Sequence, residues 1–234
     1  MRINIFFLLF FLSSHLFSQN FSVSIGSGIA TYSMKSLKNF DQSIVATDFM
    51  GLKPSLTDNF PPYVYYHGEA SYTNNKTIYG ISITHGSTGS RTTYGDYSGK
   101  IFRDNLVRYN AIGLRLGQVF VSKKNFIISA NARASGIFNR LRVKERLDIA
   151  GSSIENSTRY HSLNFGLMPF FSGEYIFNKI FISFDIGYEY QITGRVFVNN
   201  EDKLYIVDQN NNEIYIDGRG VRAIVNLGYR FNKK

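Results

Sequence analysis

The sequence predicts an all-β fold: an eight-stranded antiparallel transmembrane β-barrel with short periplasmic turns and long extracellular loops. Three observations predict it. Side chains alternate with a period of two from residue 20 onward, the connections alternate between short and long, and aromatic residues gather beside the short ones. Within residues 221–231, Val221, Ala223, Val225, Leu227, Tyr229 and Phe231 share one face, and Arg222, Ile224, Asn226, Gly228 and Arg230 the other. Within residues 182–198, Ile182, Phe184, Ile186, Tyr188, Tyr190, Ile192 and Val196 oppose Ser183, Asp185, Gly187, Glu189, Gln191, Thr193 and Arg195. Alternation this long is a strand signal. It suits a soluble sandwich as well as a membrane barrel, which turns its apolar face to lipid. The connections separate the two.

The elements follow in order. Residues 1–18 form a signal peptide: Arg2, an apolar run over residues 5–12, then a small polar region ending at Ser18. No Cys follows the cut, which excludes a lipoprotein, and the run is well short of the ~20 residues of a helical span. The barrel domain is expected over residues 19–234. Its strands are expected at about 20–32, 61–73, 77–88, 105–121, 126–146, 159–177, 180–198 and 213–231. Asn74-Asn75-Lys76, Ser122-Lys123-Lys124-Asn125 and Asn178-Lys179 are tight hairpin turns. The links 33–60, 89–104, 147–158 and 199–212 are long. An even strand number with short turns on one side and long links on the other is the bacterial outer-membrane pattern. Phe120, Phe126, Tyr175, Phe177 and Phe181 beside the short turns suit an interfacial girdle.

Composition bounds the chemistry. The 234 residues contain no Cys, which excludes disulfides, a thiol nucleophile and Cys-ligated metal. The formal charge of +9 suits an anionic membrane surface as well as nucleic acid, and no nucleic-acid module is present. No His, Asp and Glu set has metal-ligand spacing, so neither metal nor other cofactor is expected. Asp208-Gln209-Asn210-Asn211-Asn212 begins like a calcium loop, but Glu213 stands where glycine is needed and Arg219 where the bidentate Glu should be. Residues 203–208 and 213–218 instead predict a hairpin that extends the last two strands outward.

VNLGYRF, ending at Phe231, resembles the C-terminal strand that barrel assembly machinery reads, although Asn232-Lys233-Lys234 follow it. The whole mature chain resembles the small OmpX/OmpA-type barrels. Residues 32–38 and 87–99 also look like uncharacterised barrels of Bacteroidetes-type bacteria. These resemblances imply an outer-membrane address and no activity. The partners they imply are outer-membrane lipids, lipopolysaccharide and the assembly machinery, with an extracellular protein or glycan on the long loops.

Parity assigns an inward set of His67, Glu69, Arg115, Asn131, Arg133, Asn164, Glu174, Asp185, Glu189, Arg195, Arg222 and Arg230. Small barrels are filled by side chains, so a salt-bridged plug is favoured over a narrow solute channel. The acids of the second, sixth and seventh strands are expected within ion-pair distance of arginines on neighbouring strands. Outside, Arg140, Arg142, Lys144 and Arg146 continue the parity of Phe138 to the height of lipopolysaccharide phosphates, which suits contact with those phosphates and a solvated strand extension equally.

The stretch 85–99, HGSTGSRTTYGDYSG, is expected to turn from the third strand into an ordered extracellular loop. It lacks a Walker pattern and a following helix, so it is no phosphate loop. His85-Gly86-Ser87 resembles the His-x-Ser pair of PagL-type lipid A deacylases, in which Ser is the nucleophile, His the base and a Glu the orienter. Thr88-Gly89 departs from that family's pattern, and Asp96 is the nearest acid. A structural or surface-interaction role is the leading expectation, with a narrow channel and a deacylase as alternatives.

Overall fold

A computed structural model of the protein describes residues 21–46, 54–95, 97, 99–149, 152–198, 201–207 and 211–231. The expected leader, Asp96 and the tip of the expected 208–212 hairpin at residues 208–210 lie outside them. The chain runs β1 (Phe21–Ala30), α1 (Lys35–Ala46), β2 (Ser55–Asn59), β3 (Tyr63–Asn74), β4 (Thr77–Gly95), β5 (Gly99–Lys123), β6 (Phe126–Ile149), β7 (Ser152–Phe177), β8 (Ile180–Ile192), β9 (Phe197–Val198), β10 (Glu201–Tyr205) and β11 (Gly220–Phe231).

Eight strands pair antiparallel in a ring: β1, β3, β4, β5, β6, β7, β8, β11 and back to β1. Closure satisfies the backbone without an open edge, which a bilayer requires. Phe21 pairs with Phe231, with ring centroids 5.7 Å apart, so the first and last strands close the ring at the short-turn end. Asn74 pairs with Thr77, Lys123 with Phe126 and Phe177 with Ile180, so each short turn has two central residues. Asn75 and Asn178 adopt φ of 54° and 58°. In these two turns the first central residue takes a left-handed conformation, which asparagine tolerates.

The faces are inverted relative to a soluble protein. Ile25, Ile81, Ile112, Leu114, Phe165 and Ile182 are exposed on the outer wall, whereas Glu69, Asn131, Arg133, Asn164, Asp185 and Arg222 are buried inside. This arrangement suits a barrel surrounded by lipid. On β6 the apolar outer face runs from Phe126 to Phe138. At ~3.3 Å per residue and a tilt of ~40° that spans about 30 Å, close to the apolar band of such barrels.

Three features depart from expectation. First, residues 89–104 and 147–158 are mostly strand. β4 and β5 stay in register from His85↔Asn110 to Gly95↔Lys100, and β6 and β7 pair out to Ile149↔Ser152. Strands leaving the membrane side by side go on pairing with each other, which overrides the low β propensity of Gly and Ser. β2 adds to β4 along this projecting sheet.

Second, the 33–60 link contains α1. Third, β8 stops at Ile192 and β11 starts at Gly220. Much of the intervening segment folds over the outer mouth. Its expected hairpin survives locally, with Ile214 N donating to Ile206 O at 3.0 Å and Val207 bridging Glu213. The hairpin does not extend the barrel wall. Val196, expected on the lipid face, is fully buried under this cap, as are Ile214 and Ile216.

Candidate functional site

The lumen is a stack of paired charges. Glu69 on β3 lies between two arginines: Arg115 Nη1 donates to Oε1 at 2.5 Å, and Arg133 Nη2 to Oε2 at 3.0 Å. Those arginines stand on β5 and β6, across the lumen rather than on an adjacent strand. His67 Nε2 lies 3.2 Å from Arg133 Nη2, and Asn131 Oδ1 accepts from Arg115 Nε at 2.9 Å. Both guanidinium groups lie over the Phe170 ring, at 5.2 and 4.9 Å. Toward the outside, Glu189 accepts from Arg222 Nε at 2.9 Å and from Tyr109 Oη at 2.7 Å. Toward the short turns, Arg230 pairs with Glu174. Among the described residues Asp185 takes no arginine; it accepts from Ser172 Oγ at 2.5 Å and Asn226 Nδ2 at 2.9 Å. A buried charge without such partners would be costly.

Arg195 departs from the inward set. Because β8 ends before it, its side chain is exposed and pairs with Glu213 at 2.8 Å. Of the expected ion pairs, only Arg222–Glu189 joins strands adjacent in the ring. On the short-turn side lies a polar cavity of about 310 Å³, lined by Glu69, Arg115, Glu174, Asp185 and Arg230 among others.

Above the outer ion pair the interior turns apolar. Tyr65, Val107, Leu141 and Ile224 of the wall meet Met34, Leu37, Phe60, Val196, Ile214 and Ile216 of the cap. Wall side chains hold the cap's backbone. Arg222 Nη2 donates to Gly218 O at 2.6 Å, Asn164 Nδ2 to Ile216 O at 2.7 Å, and Gln191 Oε1 accepts from Gly218 N at 3.0 Å. α1 is pinned through buried Asp41, which accepts from Ser90 Oγ at 2.5 Å and Asn105 Nδ2 at 2.7 Å. Burial pushes the Asp41 carboxyl above its ordinary pKa, against the opposing pull of Ser90, Arg103 and Asn105. Sequence reasoning missed Asp41 and Asn105, since nothing local marks their pairing.

On the outer wall, His85 Nδ1 lies 2.8 Å from Asn110 Oδ1, a hydrogen bond across the β4–β5 ladder. Ser87 lies two residues further along, opposite Arg108. An amide cannot stabilise an imidazolium as a triad carboxylate does, and Asp96 lies outside the described residues.

The expected basic set divides. Lys144 pairs with Glu155 at 2.9 Å and Arg146 with Asp148 at 2.9 Å. Arg140 and Arg142 instead join Arg108, Arg159 and His161 on β5 and β7. The outward parity of the strands was the signal that could have found these three. Among the described residues no group of three or more His, Asp or Glu could hold a metal ion.

No family model matches the chain, and no curated protein does. Similar solved structures include Neisserial surface protein A, at 12% identity over 91% of this chain and 97% of that one, with a TM-score of 0.43. The outer membrane protease OmpT of Escherichia coli is 10% identical over 92% and 97%, with a TM-score of 0.39. The Ralstonia pickettii toluene transporter TbuX is 9% identical over 93% and 91%, with a TM-score of 0.22. Likenesses this distant carry no argument about activity. The chain's own strand pairing makes its fold a closed eight-stranded antiparallel β-barrel with an apolar outer wall.

Proposed function

We propose that this chain is exported by a cleaved leader and inserted into the bacterial outer membrane as a sealed barrel with a structural or surface-interaction role. The observation that carries this reading is the closed interior. Ion pairs cross the lumen at three levels, and an apolar cap with fully buried Val196 and Ile216 covers its outer mouth. Desolvated apolar packing and paired charges both oppose a continuous water path. What projects outward is the β4–β7 sheet, a surface on which an extracellular protein or glycan would dock. The final strand, ending at Phe231, would be the segment presented to the assembly machinery.

Planar-bilayer recording tests the sealed barrel. The folded protein is expected to give no discrete conductance steps, and reproducible ohmic steps would replace this reading with the narrow channel. Protease or biotin treatment of intact cells tests the surface role, with cleavage or labelling expected in the cap and the projecting sheet. For the deacylase alternative, His85 engages Asn110 among the described residues, and its candidate acid Asp96 lies outside them.

A further inference from the structure

Three strands carry an unusual pattern where the apolar belt ends. On β5, β6 and β7 the outward row at this height is Asn110, Phe138 and Leu163, apolar on β6 and β7. One step outward, Arg140 sits opposite Arg108 on one side and His161 on the other. The next step places Arg142 opposite Leu106 and Arg159. Like charges directly opposite each other destabilise an antiparallel pair, and here two such pairs, Arg108/Arg140 and Arg142/Arg159, adjoin. None of the four arginines has a carboxylate within ion-pair distance among the described residues. Arg142 donates only to Ser157 Oγ, at 3.0 Å. Further out, Lys144 and Arg146 each have an acid. The four guanidinium groups line a cleft of about 410 Å³ with Tyr160 and His161.

The geometry points to a binding site for the phosphate of a phosphorylated glycolipid of the lipid A kind in the outer leaflet. The phosphate would lie between Arg108, Arg140, Arg142 and Arg159, with acyl chains running down over Phe138 and Leu163. Guanidinium groups bind phosphate through paired charge-assisted hydrogen bonds, and one anion would relieve both like-charge contacts. The exposed Phe138 and Leu163 immediately below commit the site to a lipid rather than a soluble phosphate. The inference rests on the outer-membrane reading and deepens it by naming the lipid and the side chains that hold it.

The test uses the full mature chain folded in detergent, with lipid retention read by native mass spectrometry. The probes are diphosphoryl lipid A, the same lipid dephosphorylated, and inorganic phosphate as competitor. Diphosphoryl lipid A is expected to bind at least about tenfold more tightly than the dephosphorylated form. Arg140→Gln with Arg159→Gln should abolish that preference, and Lys144→Gln with Arg146→Gln should keep it. Heat-dependent gel mobility checks that each variant is a folded barrel. Equal retention of the two lipids by the folded protein overturns the site and leaves the outer-membrane reading standing. Inorganic phosphate competing as well as the lipid does would overturn the lipid assignment. A chain with no heat-dependent shift and no insertion into vesicles would instead overturn the reading on which the site rests.

Discussion

Asp41 of α1 accepts a hydrogen bond from Asn105 of β5 at 2.7 Å, joining the cap to the inner wall across 64 residues of chain. Ser90 of β4 donates to the other carboxylate oxygen. These contacts make α1 part of the barrel's closure rather than a surface ornament.

Asp41→Ala should therefore loosen the cap while leaving the wall intact. Losing hydrogen bonds to a buried carboxylate and stranding Ser90 and Asn105 is worth about 1–3 kcal/mol. Limited proteolysis should then cut within residues 35–46 faster than in wild type, with the heat-dependent gel shift retained. Unchanged cleavage rates would mean the cap is held elsewhere.

The same carboxyl sets a pH dependence. Its pKa in the folded protein is raised by burial above the ordinary 3.8, so the docked cap favours the protonated acid. The sign follows: docking is tightest below the ordinary value and weakens as pH rises through the raised one. Hydrogen exchange of α1 amides, corrected for intrinsic rates, should show greater protection in acid than at neutrality. Asp41→Asn should flatten that profile, and the opposite slope in wild type would refute the assignment.

Glu69 lies between Arg115 and Arg133, so Glu69→Ala leaves two guanidinium groups in the lumen without their carboxylate. Breaking a buried pair from one side costs about 3–5 kcal/mol. Urea unfolding followed by loss of β circular dichroism should shift to lower denaturant. Arg115→Met should cost less, because Arg133 still faces the acid at 3.0 Å.

Gly86 faces inward beneath the cap. A Cβ there would meet Tyr32 Oη at 2.8 Å and Tyr65 Cβ at 3.1 Å. Gly86→Ala is expected to destabilise by about 1–3 kcal/mol through overpacking. Tyr32→Phe should recover part of that loss, since the hydroxyl it removes has no hydrogen-bond partner among the described residues. A purely additive double mutant would show that Tyr32 is not the neighbour being displaced.

His85 and Ser87 give a prediction of no change. Lipid A from cells carrying Ser87→Ala should have the acylation pattern of wild type by mass spectrometry. A chain lost only in cells with intact Ser87 would restore the deacylase.

The wall was legible in the sequence for a simple reason. Lipid is a uniform solvent, so a strand that faces it alternates, and the short and long connections mark that alternation as a barrel's rather than a sandwich's. That local signal located the eight strands, the three tight turns and the facing of Glu69, Arg133, Asp185 and Arg222. It did not reveal which charge meets which. Glu69 finds Arg115 and Arg133 across the lumen because the ring's closure and stagger bring them there, and neither is written in any one strand. The stretch 85–99 looked like a loop by composition, yet β4 pairs with β5 through Gly95 because the two strands rise together.

The cap was hidden for the same reason. A helix as short as α1 has little stability of its own, and most helical stability comes from docking an apolar face. The docking partners of Met34, Leu37 and Asp41 are brought to the mouth by distant strands. Arg195 shows the limit from the other side, since parity placed it in the lumen and the end of β8 at Ile192 turned it out to water. The sequence by itself determined a barrel that faces lipid. Only the tertiary structure decided that a cap packs over the outer mouth and which outer-wall arginines stand without an acid among the described residues, because both depend on contacts between strands and loops far apart in the chain.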